Sequence, residues 1–275
     1  MKTIAGVVLC MNEVSQLKRC LTSLSWCSEI YVVDSGSTDG SIELASMLGA
    51  EVAVNKPDGR FLITEQRNWA LENLPITSEW VIFLDSDEEI KEKCKDWIVR
   101  AINEDNSNTG FEMTPRYWFL GKWLKRTQGY PNWHPRILRK GLNKFSGGVW
   151  ESFESLRHIG QIKEPYEHYA FSKGIDDWLL RHMRYSSWDA DSITDYQKTK
   201  CRNSFNTNRK LRSRIIGAKY WQVKPVARFF EKYILNGGWT EGWQGLIFSI
   251  MMSFYELITV IKIVEYRRKE RGLNL

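Results

Sequence analysis

The sequence predicts an α/β protein: a parallel sheet with helices on both faces, followed by a helical, basic C-terminal extension. Three observations predict it. Apolar runs of strand length alternate with helical patterns as far as residue 102. Three of those runs end in polar, mostly acidic residues, and beyond residue 176 the pattern turns helical, with Lys and Arg concentrated in one stretch.

The elements follow in order. TIAGVVLC (3–10), EIYVVDS (29–35), EVAVNK (51–56) and EWVIFLDSD (79–87) are β-branched or apolar runs fit for strands. Between and after them, 13–24, 41–49, 64–74 and 91–102 carry helical patterning. Near-continuous apolar strands interleaved with helices predict a parallel sheet covered on both sides. Ser41 is placed to cap the helix of Ile42, Leu44, Ala45 and Leu48, and Gly49 to stop it. Glu88 and Glu89 read as the start of the next helix. From 103 to 175 the sequence is aromatic-rich and punctuated by Gly and Pro, which predicts shorter mixed strands and functional loops. The chain therefore divides at 175 into a sheet-bearing region, with halves 1–102 and 103–175, and a helical region, 176–275.

A chain of 275 residues, 43% hydrophobic and 13% aromatic, is globular rather than disordered. The opening MKTIAGVVLCMNE has a short apolar run that leads into polar residues without a small-residue cleavage site, so a cytoplasmic protein is expected. The five cysteines (Cys10, Cys20, Cys27, Cys94, Cys201) include no CxxC pair, which excludes the usual spacing of a disulfide framework or zinc site. Between Lys198 and Lys232 eleven Lys or Arg face one acidic residue, Glu231; this stretch carries +10 of a net +6 and leaves the rest at −4. So local a patch points to an anionic surface partner rather than to nucleic acid, which is not expected as a partner. Its basics (Arg202, Arg209, Lys210, Arg212, Arg214, Lys219, Lys224, Arg228) interleave with Tyr220, Trp221, Phe229, Phe230 and Tyr233, a mixture suited to lipid headgroups.

The last segment, from Leu246 to Val264, places polar residues at 249, 253, 256, 259 and 262, one narrow polar stripe on a broad apolar helix. Glu256 near its middle speaks against a membrane span, which needs roughly 20 nearly uncharged residues. Flanking Trp239, Trp243, Tyr266, Arg267, Arg268 and Lys269 fit a membrane interface. The alternatives are a helix packed on the core and a homo-oligomer contact through this C-terminal region.

Ligands of open α/β sheets bind outside the carboxyl ends of the strands. There this chain delivers Asn12 and Glu13 after the first strand, Asp34-Ser35-Gly36-Ser37 after the second, and Asp85-Ser86-Asp87 after the fourth. If the strand stays extended, Asp85 and Asp87 project to the same side and share one hard cation, Mg2+ or Mn2+. Asp34 could accept the N–H of a nucleotide base. No G-x-G-x-x-G and no P-loop lysine is present, so dinucleotide binding and P-loop phosphotransfer lack their signatures. His134 and His168 sit in aromatic loop sequence where an imidazole could touch diphosphate, metal or acceptor, whereas His158 and His182 carry no signal; no zinc-hydrolase spacing occurs.

Taken together, VVLCMNE, VVDSGSTDGS, EQRNWAL and FLDSDE resemble the family 2 inverting nucleotide-sugar glycosyltransferases of GT-A fold, over residues 1 to about 155. PRILRKG, FSGGVWESFE and GWQGLIFSIMMSFYELI look like the bacterial branch that adds glucose or a related sugar to the lipopolysaccharide inner core. The resemblance implies a Rossmann-like nucleotide-sugar-binding sheet and transfer of a hexose from a UDP-sugar to a lipid-linked saccharide at the inner face of the cytoplasmic membrane. It implies that Asn12, Glu13 and Asp34 line the base and ribose pocket and that Arg67 and Asn68 lie close to the nucleotide. Asp85 with Ser86 would neighbour ribose and metal, Asp87 would hold the metal at the diphosphate, and Arg136 would stabilise the leaving UDP. The general base falls on Glu151, preceded by Trp150 where relatives often carry His, with Glu154 as rival. The alternatives are a glycosyltransferase acting on protein or a soluble glycan, and a binding module without turnover.

Overall fold

The computed structural model describes residues 2–59, 61–104, 107–147, 151–201 and 211–275. Two compact units divide the chain: Met1–Tyr117 with Pro131–Ser172, and Trp118–Tyr130 with Lys173–Leu275. The segment 118–130, which the sequence groups with the sheet region, thus belongs to the helical unit.

In the first unit the chain runs β1 (Ile4–Cys10), α1 (Val14–Ser23), β2 (Glu29–Asp34), α2 (Ser41–Met47), β3 (Glu51–Val54), α3 (Ile63–Asn73), β4 (Trp80–Asp85), β5 (Glu88–Glu89) and α4 (Glu92–Glu104). It continues through β6 (Gly110–Phe119), whose last two residues pass into the second unit and pair there with β7 (Lys122–Trp123). Next come β8 (His134–Arg139), β9 (Phe145–Ser146), β10 (Ser152–Phe153) and β11 (Ile159–His168). The sheet order is β3-β2-β1-β4-β8-β6-β11-β5, with β1 to β4 mutually parallel and β8 antiparallel to both neighbours.

Alternation along the strands sorts residues into two cores. Ile4, Val8, Trp80, Ile82 and Leu84 meet Leu17, Leu21, Ile98 and Ile102 on the face covered by α1, α2 and α4. Val7, Leu9, Val81 and Phe83 meet Ala70 of α3 and Leu74 just after it, with Phe145 and Phe153, on the other. Each large side chain removed from water contributes roughly 1.5–3 kcal/mol before entropy is subtracted. The same period assigns Asp85 to the α3 side, since it follows Val81 and Phe83 at intervals of two.

Three local expectations are corrected. Ser41 is not the cap but the first residue of α2, after Gly40 at φ 88°; its hydroxyl accepts the Glu13 N–H at 3.0 Å and donates to Asp39. β4 ends at Asp85 and Ser86-Asp87 form a turn, so the two aspartates do not share one extended strand. Glu88 and Glu89 do not start a helix: they form β5 against β11, Glu88 opposite His168, and α4 begins at Glu92.

The second unit holds α5 (Gly174–Thr199), α6 (Leu211–Lys219), α7 (Lys224–Phe230), a π-helical turn (Glu231–Leu235) and α8 (Gly242–Glu270). Its core is small: Ala190, Ile193, Ala218, Trp221 and Ile263. Glu256 of α8 is buried and ion-paired to Lys224 (2.8 Å) and Arg228 (2.7 Å), which pull its carboxyl down against the upward push of burial. Arg202, Arg209 and Lys210, and the side chains of Arg212 and Arg214, lie outside the described residues.

Candidate active site

The carboxyl ends of β1, β2 and β4 stand level, with Cys10 paired to Asp34 and Leu9 to Asp85. β2 and β4 flank β1 on opposite sides, which makes this edge the point where strand order reverses and a crevice opens.

Several elements deliver charge to it. Arg67 of α3, with no exposed surface, donates through Nη2 to Asp85 Oδ1 (3.0 Å) and through Nη1 to Glu151 Oε2. Arg136 of β8 donates through Nη1 to Glu151 Oε1 (2.7 Å), through Nη2 to Glu88 Oε1 (2.7 Å), and through Nε to the Tyr166 hydroxyl (3.1 Å). The Arg136 Nη2 is also 3.5 Å from Asp85 Oδ2. Glu88 Oε2 accepts the Asp85 N–H at 2.9 Å. At the more open side, His168 Nε2 lies 3.5 Å from Asp87 Oδ2, with its ring against Tyr117, and His134 Nδ1 lies 3.7 Å from Glu151 Oε1. The arginines, Glu88 and Glu151 form the floor; Asp85, at 26% exposure, and Asp87, at 13%, form the lip.

The electrostatics follow from this count. Four carboxylates (Asp85, Asp87, Glu88, Glu151) face two guanidinium groups, so the named groups carry two negative charges in excess when all four are ionised and both imidazoles neutral, and one when Glu88 holds a proton. Burial pushes the Glu88 carboxyl up to about 7, although Arg136 pulls the other way. Burial disfavours a charged His168, yet Asp87, Glu88 and Asp85 raise it above the ordinary imidazole value. Glu151 goes the opposite way: burial would raise it, but Arg67, Arg136 and then His134 hold it well below the usual carboxylate range.

Among the described residues no three His, Cys, Asp or Glu converge as a preformed metal cage. The donor set nevertheless fits a divalent cation, because carboxylates outnumber guanidinium groups here and Asp87, at the lip, faces neither arginine. Asp87 supplies hard oxygen there, and His168 keeps a buried Nδ1 without a hydrogen-bond partner, 3.5 Å from Glu88. Asp85, expected to share the metal, instead has both oxygens turned to arginine.

The family model for glycosyl transferase family 2 matches residues 7–167, the span that builds this edge. The chain belongs to glycosyl transferase family 2. It is similar along nearly its whole length to the lipopolysaccharide core biosynthesis glycosyltransferase LpsC of Rhizobium meliloti (strain 1021), 23% identical over 95% of this chain and 92% of that one. An uncharacterized glycosyltransferase of Rickettsia bellii (strain RML369-C) is 31% identical over 96% of this chain and 87% of its own. Among solved structures, glucosyl-3-phosphoglycerate synthase from Mycobacterium tuberculosis, in complex with Mn2+, UDP and glucosyl-3-phosphoglycerate, aligns at a TM-score of 0.47 and 18% identity over 65% of this chain and 75% of that one.

In this glycosyltransferase several residues expected at the nucleotide have structural duties. Asp34, fully buried, spends both oxygens on its own loop: Oδ1 accepts the N–H groups of Gly36 (2.8 Å) and Ser37 (2.7 Å), and Oδ2 the Ser37 hydroxyl (2.5 Å). Asn12, at φ 56°, donates its N–H to Ser37 Oγ and accepts the Thr38 N–H, tying the loops after β1 and β2 together. Glu13 opens α1 with its N–H on Ser41. The Asn68 amide pairs with both backbone groups of Phe145, and the Ser86 hydroxyl donates to the Leu9 carbonyl. Glu154 is exposed beyond β10, its N–H on the Lys144 carbonyl, while Trp150 lies outside the described residues. Sequence reasoning overlooked Glu88 and Tyr166, and left His168 unplaced. The available signal was YEH: Tyr166 and His168 are two apart on β11 and project to one side.

Proposed function

We propose that this family 2 enzyme is an inverting, divalent-metal-dependent hexosyltransferase that moves a sugar, glucose or a close relative, from a UDP-sugar to a lipid-linked saccharide such as lipopolysaccharide core, peripherally at the inner face of the cytoplasmic membrane. One observation carries it: a buried carboxylate, Glu151, gripped by two arginines beside an acidic lip formed by Asp85 and Asp87. Full-length similarity to LpsC supports the acceptor class.

Asp87, with His168 beside it, would hold the cation at the donor diphosphate, and Asp85 would join them once its arginines turn away. Bound there, Mg2+ or Mn2+ supplies charge neutralisation for the leaving diphosphate. The acceptor hydroxyl oxygen attacks the anomeric carbon on the face opposite the leaving group. Its proton passes to Glu151, and the electron pair of the breaking C–O bond goes to the diphosphate oxygen. A carboxylate paired with two guanidinium groups is a poor base, so Arg136 and Arg67 must release Glu151 as their charge is drawn to the diphosphate. His134 then remains beside Glu151 to orient it.

The test is UDP release by the purified protein with a panel of nucleotide sugars, acceptors and Mg2+ or Mn2+. Turnover that disappears with a chelator and in Asp87→Ala is expected. No turnover of any donor, or an unchanged Asp87→Ala, rejects the reading.

A further inference from the structure

α8 is built inside out. From Ile247 to Val264 the exposed positions are Ile247, Ile250, Phe254, Leu257, Ile261 and Val264, every one large and apolar. Each polar residue in that span is instead turned to protein. Ser249, Glu256 and Thr259 are buried, Ser253 donates to the Pro225 carbonyl (2.8 Å), and Lys262 donates to the Met183 carbonyl and to Ser186 and Ser187. At about 100° per residue the exposed six share one arc of about 100° and the polar residues lie outside it, with Ser253 at its margin. α7 repeats the arrangement: Lys224 and Arg228 face Glu256, while Val223 just before the helix, Val226 and Phe230 are exposed. A water-facing helix shows the reverse pattern.

We propose that the outward faces of α8 and α7 are a lipid-docking surface that lies lengthwise in one leaflet of an anionic bilayer. This deepens the membrane-face part of the function above and does not depend on the chemistry at the sheet edge.

Three observations select this occupant. The six α8 residues run for about 25 Å at 1.5 Å per residue, a continuous strip. Exposed Trp239 and Trp243 precede it and exposed Arg268, Lys269 and Arg271 follow it, aromatic and basic anchors that suit a headgroup layer carrying negative charge. The helix is long and apolar enough to cross a membrane. Yet Lys224 and Arg228 at Glu256, and Asp189 at Tyr255, stand against its middle, and a crossing would carry this whole charged set into hydrocarbon. A second copy fits less well. The exposed residues keep coiled-coil spacing, but the flanking Met251, Ser253, Ile258 and Val260 offer no charge to set partner or register, and the apolar surface continues onto α7.

The test uses the full chain. With vesicles of phosphatidylcholine containing a minority of phosphatidylglycerol, the protein floats, and it floats less with phosphatidylcholine alone. Ile250→Gln/Leu257→Gln and, separately, Phe254→Gln lower the vesicle-bound fraction about tenfold or more while circular dichroism is retained. In a Cys201→Ser background, nitroxides at positions 247, 254 and 261 report one shallow depth. A graded depth with position 254 at the bilayer centre overturns the flat orientation in favour of a span. A wild-type dimer that does not float, and that the glutamine variants turn into monomer, overturns the proposal in favour of a second copy. Absent flotation with UDP release intact overturns docking alone; flotation without turnover of any donor rejects the transferase reading and leaves docking standing.

Discussion

Each unit buries a glutamate between two basic side chains, and the difference between the pairs separates a site from a structural pin. In the helical unit Glu256 meets Lys224 and Arg228, the latter also paired with Glu231, so charges balance. In the sheet unit Glu151 meets Arg67 and Arg136, but the same arginines also serve Asp85 and Glu88, with Asp87 one turn away, and negative charge is left over at an opening. Balanced pairing in a bundle holds helices together; unbalanced pairing at a strand edge is what the proposed cation would neutralise. A buried ion pair by itself is therefore no sign of function, whereas its surplus is.

The largest effect belongs to the unbalanced cluster. Glu151→Gln keeps the shape but gives up the hydrogen bond to one of the two arginines, since its NH2 can only donate, and removes the proton acceptor, so transfer falls about 10³-fold while UDP-sugar affinity stays within a few-fold. Isothermal titration alongside turnover measures both, and a variant within about tenfold of wild-type turnover would break the comparison. Next is Glu256→Ala, which leaves half-buried Lys224 without its carboxylate and Arg228 with Glu231 alone, and costs about 2 kcal/mol of stability, read from urea unfolding. Replacing Glu256, Lys224 and Arg228 together by leucine and methionines is expected to recover most of that loss. The corresponding triple change at Glu151, Arg67 and Arg136 leaves no activity to recover. Asn68→Ala removes two bonds to Phe145 and costs about 1–2 kcal/mol, with faster amide exchange at Phe145 as its local mark.

The smallest effect is a pH dependence in the helical unit. His182 stacks on Trp178, donates Nδ1–H to the Trp178 carbonyl, and is pulled down to about 4 by burial. A base with a depressed folded pKa binds fewer protons folded than unfolded, so its contribution is intact above the ordinary value near 6.5 and is lost as pH falls toward 4. The melting temperature of wild type therefore drops across that window more than that of His182→Gln.

What could be read from the sequence was whatever local periodicity encodes. The apolar run Trp80–Leu84 announced a buried strand, and its period of two fixes why Asp85 meets Arg67 of α3 rather than the helices on the other face. Glu88 escaped because Asp-Glu-Glu before a helical pattern is what a helix start looks like, while its partner strand lies some 80 residues on. Asp34 stood at the right edge, but nothing local told whether its oxygens served a ligand or the Ser35-Gly36-Ser37 turn. The polar stripe of α8 was visible as a stripe. Which side of it meets protein depended on Lys224, Arg228 and Met183, which no periodicity within α8 can reveal.

The web joining Asn12, Asp34, Ser37 and Thr38 has a thermodynamic consequence. Because these groups already fix the two loops to one another, the nucleotide of the proposed donor would find at this edge backbone whose conformational freedom was surrendered during folding. If the donor is the proposed UDP-sugar, calorimetry of its binding would show little ordering entropy from these loops, and the temperature dependence of its enthalpy would report the proposed release of Glu151 by Arg67 and Arg136.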